Sequence, residues 1–324
     1  MDEFGDYSLS GCLIDETYDS APQVRSVGGS DPMSASGAGA APLPPRVDLR
    51  KYCSSVEDQG STASCVGNAV VGALELLQRK DNHSSQNLSR LFVYYNSRLF
   101  HSPQPQDAGT FVHFAMASLI AHGVCEERLW PFSMTVLNDR PTQACYENAA
   151  NYRGVEFAQL QRGTPLTHVL AQEIPVVISV QVAREAYHAA HKTGVMDAPH
   201  GFGVGGSQPG HAMLAVGYDL ERQTYLVRNS WGERFANQGY FEMPMALYEA
   251  SRRPGMQWAI GALNHAPTLE LLGRTVKDSV AGMVSAAVNP MAQEVAQMRA
   301  GLSKEFESRL GAAKQGFRSR LRGS

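Results

Sequence analysis

Asp58–Gln78 reads DQGSTASCVGNAVVGALELLQ, a Gly- and Ser-rich turn running into a helix-like stretch, with Cys65 at the junction. From Cys65 to Lys80 the apolar side chains fall at 66, 70, 73, 74 and 77, the period of a helix. A cysteine at a helix start lies beside unpaired backbone N–H groups and the positive end of the helix dipole. Both favour the thiolate, which is the nucleophilic form. Standing alone, such a residue is more often a small buried hydrophobe, so the rest of the chain has to decide its role.

A nucleophilic cysteine needs a base, a group that orients the base, and donors for an oxyanion. The chain offers a candidate for each. Gln59 lies six residues before Cys65, across the turn containing Gly60 and Ser61. Its amide, together with the Cys65 N–H, can donate to an oxygen held beside the sulfur. His211 opens the strand-like run HAMLAVGYD (211–219), and Asn229 lies in the next, TYLVRNSW (224–231), after turn residues 219–223. A hairpin brings 211 and 229 alongside, so the Asn229 oxygen holds one imidazole tautomer while Trp231 shields that bond from water.

Further helices are expected over 88–100 (LSRLFVYYNSRLF) and 110–122 (TFVHFAMASLIAH), the second closed by Gly123. Strands are expected over 174–182 (IPVVISVQV) and 239–244 (GYFEMP). Helices in the first half and strands in the second indicate an α+β protein whose halves face each other.

Apolar residues make up 43% and charged residues 18%, with a net charge of −3, so nothing in the total points to nucleic acid as a partner. From His265 onward there are nine Lys or Arg against five Asp or Glu, a net of +4 that leaves −7 on the remainder. The five cysteines, 12, 53, 65, 125 and 145, are odd in number and form no CxxC pair. That disfavours a disulfide framework or zinc site and suits a reducing compartment. The acidic start lacks the pattern of a secretory signal, and no run approaches 18 apolar residues; a cytoplasmic location is expected. Residues 22–45, rich in Gly, Ala, Ser and Pro, read as a linker. Three parts follow: a flexible N-terminal arm (1–45), a domain (46–264) and a helical tail (265–324). The tail carries one apolar stripe from Met291 to Leu321. It either packs on the body, self-associates, or docks on a partner protein or an anionic membrane surface.

DQGSTASC, GHAMLAVGYD and YLVRNSWGERFANQGYFEMP resemble the papain family of cysteine peptidases. VDLRKYCSSVEDQG, GVCEERLWPF and EIPVVISVQVA resemble other segments of that family, and the resemblance covers about 46–264. It implies a two-subdomain fold, a helical N-terminal half facing a β-barrel-like C-terminal half. It also implies peptide-bond hydrolysis through a Cys65 thioester, without metal or cofactor. His211 is then general base and acid, Asn229 orients it, and Gln59 stabilises the oxyanion. Gly109 matches the second of two glycines that pair with an extended protein or peptide substrate. Ala212 and Ser179 fall near the main specificity pocket, and Trp231 joins the substrate-binding set. The alternatives are an isopeptidase or acyl transferase using the same triad, or a catalytically dead binding module.

This chain departs from the family at several positions. Thr62-Ala63-Ser64-Cys65-Val66 stands for the family's Cys-Gly-Ser-Cys-Trp, Ala108 for the first pairing glycine, and Gly210 for the acid or amide before the histidine. The arm is much shorter than the family's helical prosegment. It is either an unstructured leader or an extended segment that lies in the cleft and blocks it.

Overall fold

Helix α1 (Cys65–Lys80) begins at Cys65, where the period places it, and lies between a layer of helices and a β-sheet. The computed structural model describes residues 7–14, 42–81, 86–152, 155–160, 164–197, 210–253 and 256–263. The apolar stripe of 291–321 lies outside the described residues. Every residue from Cys65 to Gln78 is buried, although the periodicity predicts a single apolar face. Small side chains make this possible. A Cβ at Gly67 would lie 2.8 Å from the Arg90 carbonyl oxygen, so glycine lets the next helix close onto α1. Leu74 and Leu76 are fully buried; truncating either to alanine costs about 2–5 kcal/mol. The one carboxyl group buried on α1 is satisfied: Glu75 accepts from Ser54 Oγ at 2.5 Å and Leu88 N at 2.8 Å.

Helices α2 (Arg90–Arg98) and α3 (Val112–His122) complete the helical side. Ser89 caps α2 by accepting from Phe92 N, and Gly123 ends α3 at φ 77°. Short helices follow at Gln143–Ala149 (α4), Leu166–Leu170 (α5), Arg184–Thr193 (α6) and Met245–Ser251 (α7).

The sheet holds β1 (Arg46–Asp48), β2 (Val155–Gln159), β3 (Val176–Gln181), β4 (Gly210–Asp219), β5 (Thr224–Arg228), β6 (Tyr240–Pro244) and β7 (Trp258–Leu263). Its order is β2-β7-β3-β4-β5-β6, and β1 pairs with the far end of β4. All its pairings are antiparallel. The α+β class is as expected, but the sheet is open and not closed into a barrel. The outer edge of β6 is occupied instead by the end of α6: Met196 N donates to Glu242 O and Glu242 N to Gly194 O, both at 2.8 Å. Gly194, at φ 77°, makes the turn that delivers this edge. Among the described residues no helix is long and apolar enough to cross a membrane.

Candidate active site

Cys65 is the first residue of α1, and its sulfur accepts a hydrogen bond from Ala212 N of β4 at 3.5 Å. The helical and sheet layers therefore meet at this thiol. Central strand β4 carries both His211 and Ala212, and β3 sets Ser179 directly opposite Ala212. Asn229 follows β5 at once, and its Oδ1 lies 2.9 Å from His211 Nε2. An amide oxygen accepts only, so Nε2 carries the proton and donates. In the neutral ring this leaves Nδ1 with its lone pair, and Nδ1 is buried without a hydrogen bond. Trp231 stacks on the imidazole, ring centres 5.0 Å apart, and both side chains are fully buried. The structure thus brings Asn229 and Trp231 onto His211 and sets the Cys65 sulfur against the adjacent Ala212.

Gln59 is also buried. Its Nε2 donates to Thr62 O at 2.7 Å and its Oε1 accepts from Ser230 Oγ at 2.5 Å. These bonds fix the amide on the turn before Cys65, and a primary amide nitrogen has a second hydrogen to give.

The N-terminal segment lies across this site. Cys12 N donates to Gly210 O at 3.1 Å, and Leu13 N to Thr110 O and Thr110 N to Gly11 O at 3.0 Å each. Ser179 Oγ donates to Cys12 Sγ at 3.1 Å. Further back, Tyr7 stacks on Trp231, its hydroxyl donates to Trp231 O at 3.2 Å, and Arg184 Nη2 donates to Tyr7 O at 3.0 Å. Gly11 sits on the sulfur itself: a Cβ there would be 2.7 Å from Cys65 Sγ and 2.5 Å from Ala63 O. Of the two readings of the arm, residues 7–14 match the one that lies in the cleft.

This placement explains why Cys65 and His211 are fully buried. Burial pushes the Cys65 thiol well above the ordinary range, with the Cys12 thiol adding to the rise, while the N–H groups of Ala212, Val66 and Cys65 pull it down. Burial also pulls the His211 imidazole down to about 4 against the Asn229 hydrogen bond. Both effects favour neutral thiol and neutral imidazole over the ion pair.

Two site features escaped the sequence. Thr110, next to Gly109, makes the backbone bonds to the N-terminal segment. Gly109, at φ 79°, passes so close to the segment that a Cβ would lie 2.6 Å from Gly11 O. Arg184 was also missed, because nothing in its neighbourhood marks it apart from any surface arginine.

An α+β fold with a cysteine at a helix start, and a histidine and an asparagine on a facing hairpin, is the architecture of the thiol peptidases. Residues 43–252 match the family described as papain family cysteine protease, and the chain belongs to that family. It is similar to an uncharacterised peptidase C1-like protein of Acanthamoeba polyphaga mimivirus, 29% identical over 61% of this chain and 68% of that one. It is also similar to mouse cathepsin S, 31% identical over 62% of this chain and 58% of the relative. A probable cysteine protease of Arabidopsis thaliana, 27% identical, is matched over 46% of its length. The chain thus spans only about half the length of such plant and animal relatives. Among solved structures it resembles xylellain, a cysteine protease from Xylella fastidiosa, with TM-score 0.66 and 27% identity over 81% of this chain and 97% of that one.

Proposed function

We propose that the chain is a cysteine endopeptidase that cleaves peptide bonds through a Cys65 thioester and is held latent by residues 7–14. The observation that carries this is the tautomer: Asn229 occupies Nε2 at 2.9 Å, which leaves Nδ1 as the basic nitrogen on the residue next to Ala212, whose N–H holds the sulfur. Nδ1 takes the thiol proton as sulfur attacks the carbonyl carbon. The second Gln59 hydrogen and the Cys65 N–H hold the oxyanion, and the imidazolium gives its proton to the departing amine. Water then adds to the thioester while Nδ1 again takes a proton, releasing acid and thiol.

Latency follows from where the segment's own carbonyls point. Gly11 packs on the sulfur and its carbonyl oxygen accepts from Thr110 N, so that carbonyl is not held by the oxyanion donors and is not activated for attack.

A thiol-directed epoxide tests the reading. With the segment displaced, Cys65 should react at least a hundredfold faster than any of the other four cysteines; equal rates would sink the peptidase assignment. Gln59→Ala should lower kcat by roughly 10²-fold, the effect of one oxyanion donor. Alkylation by a haloacetamide, which forms no oxyanion, should change little. A parallel fall in both rates would show that Gln59 serves the turn rather than the transition state.

A further inference from the structure

The covering segment brings a second thiol to the nucleophile. Gly11 packs on the Cys65 sulfur, and Cys12 follows it. The Cys12 sulfur accepts from Ser179 Oγ at 3.1 Å, and the Cys65 sulfur accepts from Ala212 N at 3.5 Å. Ser179 and Ala212 face each other across β3 and β4, so the two sulfurs are held on one facing pair of residues. Both side chains belong to the same buried apolar cluster, and both are free thiols. Tyr187 is fully buried and its hydroxyl makes no hydrogen bond; burial, then Cys65 and Cys12 together, push that phenol up. Two thiols and one hydroxyl thus share a dry pocket.

Packing alone would be met at residue 12 by alanine or valine. A thiol beside a nucleophilic thiol adds a route for oxidation. The segment is tied down by isolated backbone bonds to Gly210 and Thr110 and is not built into the sheet. It therefore has the freedom to bring Cys12 to the Cα spacing of about 4.4–6.8 Å that a disulfide requires. Cys125 and Cys145 lie in a separate cluster.

We propose that Cys12 and Cys65 form a peroxide-sensitive thiol pair, whose disulfide fastens the segment in the cleft and whose reduction frees it. When the segment lifts, the Cys65 thiolate attacks one oxygen of hydrogen peroxide. The O–O bond breaks, hydroxide leaves with the Cys65 proton as water, and the sulfur becomes a sulfenic acid. As the segment returns, the Cys12 thiol attacks that sulfur. The S–S bond forms, the S–O bond breaks, and hydroxide leaves with the Cys12 proton as a second water. Two electrons pass from the sulfurs to the peroxide, and a dithiol reductant returns them. A sulfenic acid left unresolved goes on to sulfinic acid, which such reductants do not reverse, so Cys12 also protects the nucleophile. Under reducing conditions a bond of this kind is transient and serves as a sensor.

The proposal rests on the peptidase reading only for its effect on turnover, because the bond itself is read by mass. The full chain is treated with hydrogen peroxide at mildly alkaline pH, its remaining thiols are blocked with iodoacetamide, and it is digested without reductant. The Cys12 peptide should appear joined to the Cys65 peptide, lighter by two hydrogen atoms than the sum of the two, with Cys53, Cys125 and Cys145 alkylated. Basal peptide turnover, lost on oxidation, should return almost fully with dithiothreitol. In Cys12→Ser and Cys12→Ala alike, the activity recovered should be roughly tenfold lower, because Cys65 goes on to sulfinic acid. Agreement between these two variants separates the thiol from its packing, and the mass measurement on the parent needs no variant to fold. Sulfinic acid at Cys65 with Cys12 alkylated, or Cys12 joined to another cysteine, would overturn the pair. So would equal recovery in the parent and both variants. A joined Cys12–Cys65 peptide from a chain that cleaves no peptide even when reduced would uphold the pair and remove the peptidase reading. Peptide cleavage with no joined peptide after peroxide would do the reverse.

Discussion

Cys65→Ala should abolish peptide hydrolysis, with a loss of at least 10³-fold in kcat, while the melting temperature moves by only a few degrees. The change removes one sulfur atom from a fully buried position. The sulfur accepts from Ala212 N at 3.5 Å and sits in the core shared by α1 and β4, where alanine keeps the Cβ and loses one atom. A nucleophile is needed by chemistry far more than by packing, so activity and stability should separate. Comparing variant and parent in the same segment-displaced background, by peptide turnover and by thermal denaturation, checks both halves. Residual turnover within tenfold of the parent would remove Cys65 as nucleophile. Asn229→Ala belongs in the same series and should be milder. His211 keeps a basic nitrogen but loses the partner at 2.9 Å that fixes its tautomer, and its rate should fall between those of the parent and Cys65→Ala.

Much of this site was legible because its members sit on strongly patterned elements. Helix α1 announces itself by period, α3 by its terminal Gly123, and the β4–β5 hairpin by two apolar runs around Asp219–Gln223. Placing His211 and Asn229 side by side at the open end of that hairpin was then a matter of register. What stayed hidden depends on distant contacts. β1 is three residues long and exists through pairing with β4, while β2 and β7 pair with each other across about a hundred residues. That Thr110 bonds the N-terminal segment was not legible, because the direction of a backbone amide is not written in residue type. The segment 7–14 is a harder case. SLSGCLI has neither a helix nor a strand period, yet Leu9 is 5% and Cys12 2% exposed because the cleft buries them. The protonation state of Cys65 also depends on its surroundings: a helix start predicts a lowered thiol pKa, and burial, to which Cys12 adds, raises it instead.

Gly11→Leu should convert the latent chain into an active one, raising turnover of a small peptide about ten- to a hundredfold. A side chain at residue 11 has nowhere to go. Its Cβ alone would come within 2.5 Å of Ala63 O and 2.7 Å of Cys65 Sγ, one fixed in the backbone and the other at the base of α1. Overpacking of this kind costs about 1–3 kcal/mol, and each 1.4 kcal/mol shifts a two-state equilibrium tenfold. The segment is held chiefly by backbone hydrogen bonds to Gly210 and Thr110, the Arg184 and Tyr7 contacts and two buried apolar side chains, so a shift of this size should free it. A pH signature should accompany release. In the covered state the thiol is raised and the imidazole lies near 4, so thiolate appears only as pH climbs toward the raised thiol value. Alkylation of Cys65 in the parent should therefore be slow at neutral pH and accelerate in the alkaline range. In the Gly11→Leu chain water reaches both groups, the thiol falls and the imidazole rises, and the ion pair becomes accessible between them. Its alkylation should then show a plateau extending down through neutral pH. Gly11→Ala should give a smaller version of both effects. Identical turnover and identical pH profiles in parent and Gly11→Leu would mean that residues 7–14 leave the cleft unaided and that the chain is not latent.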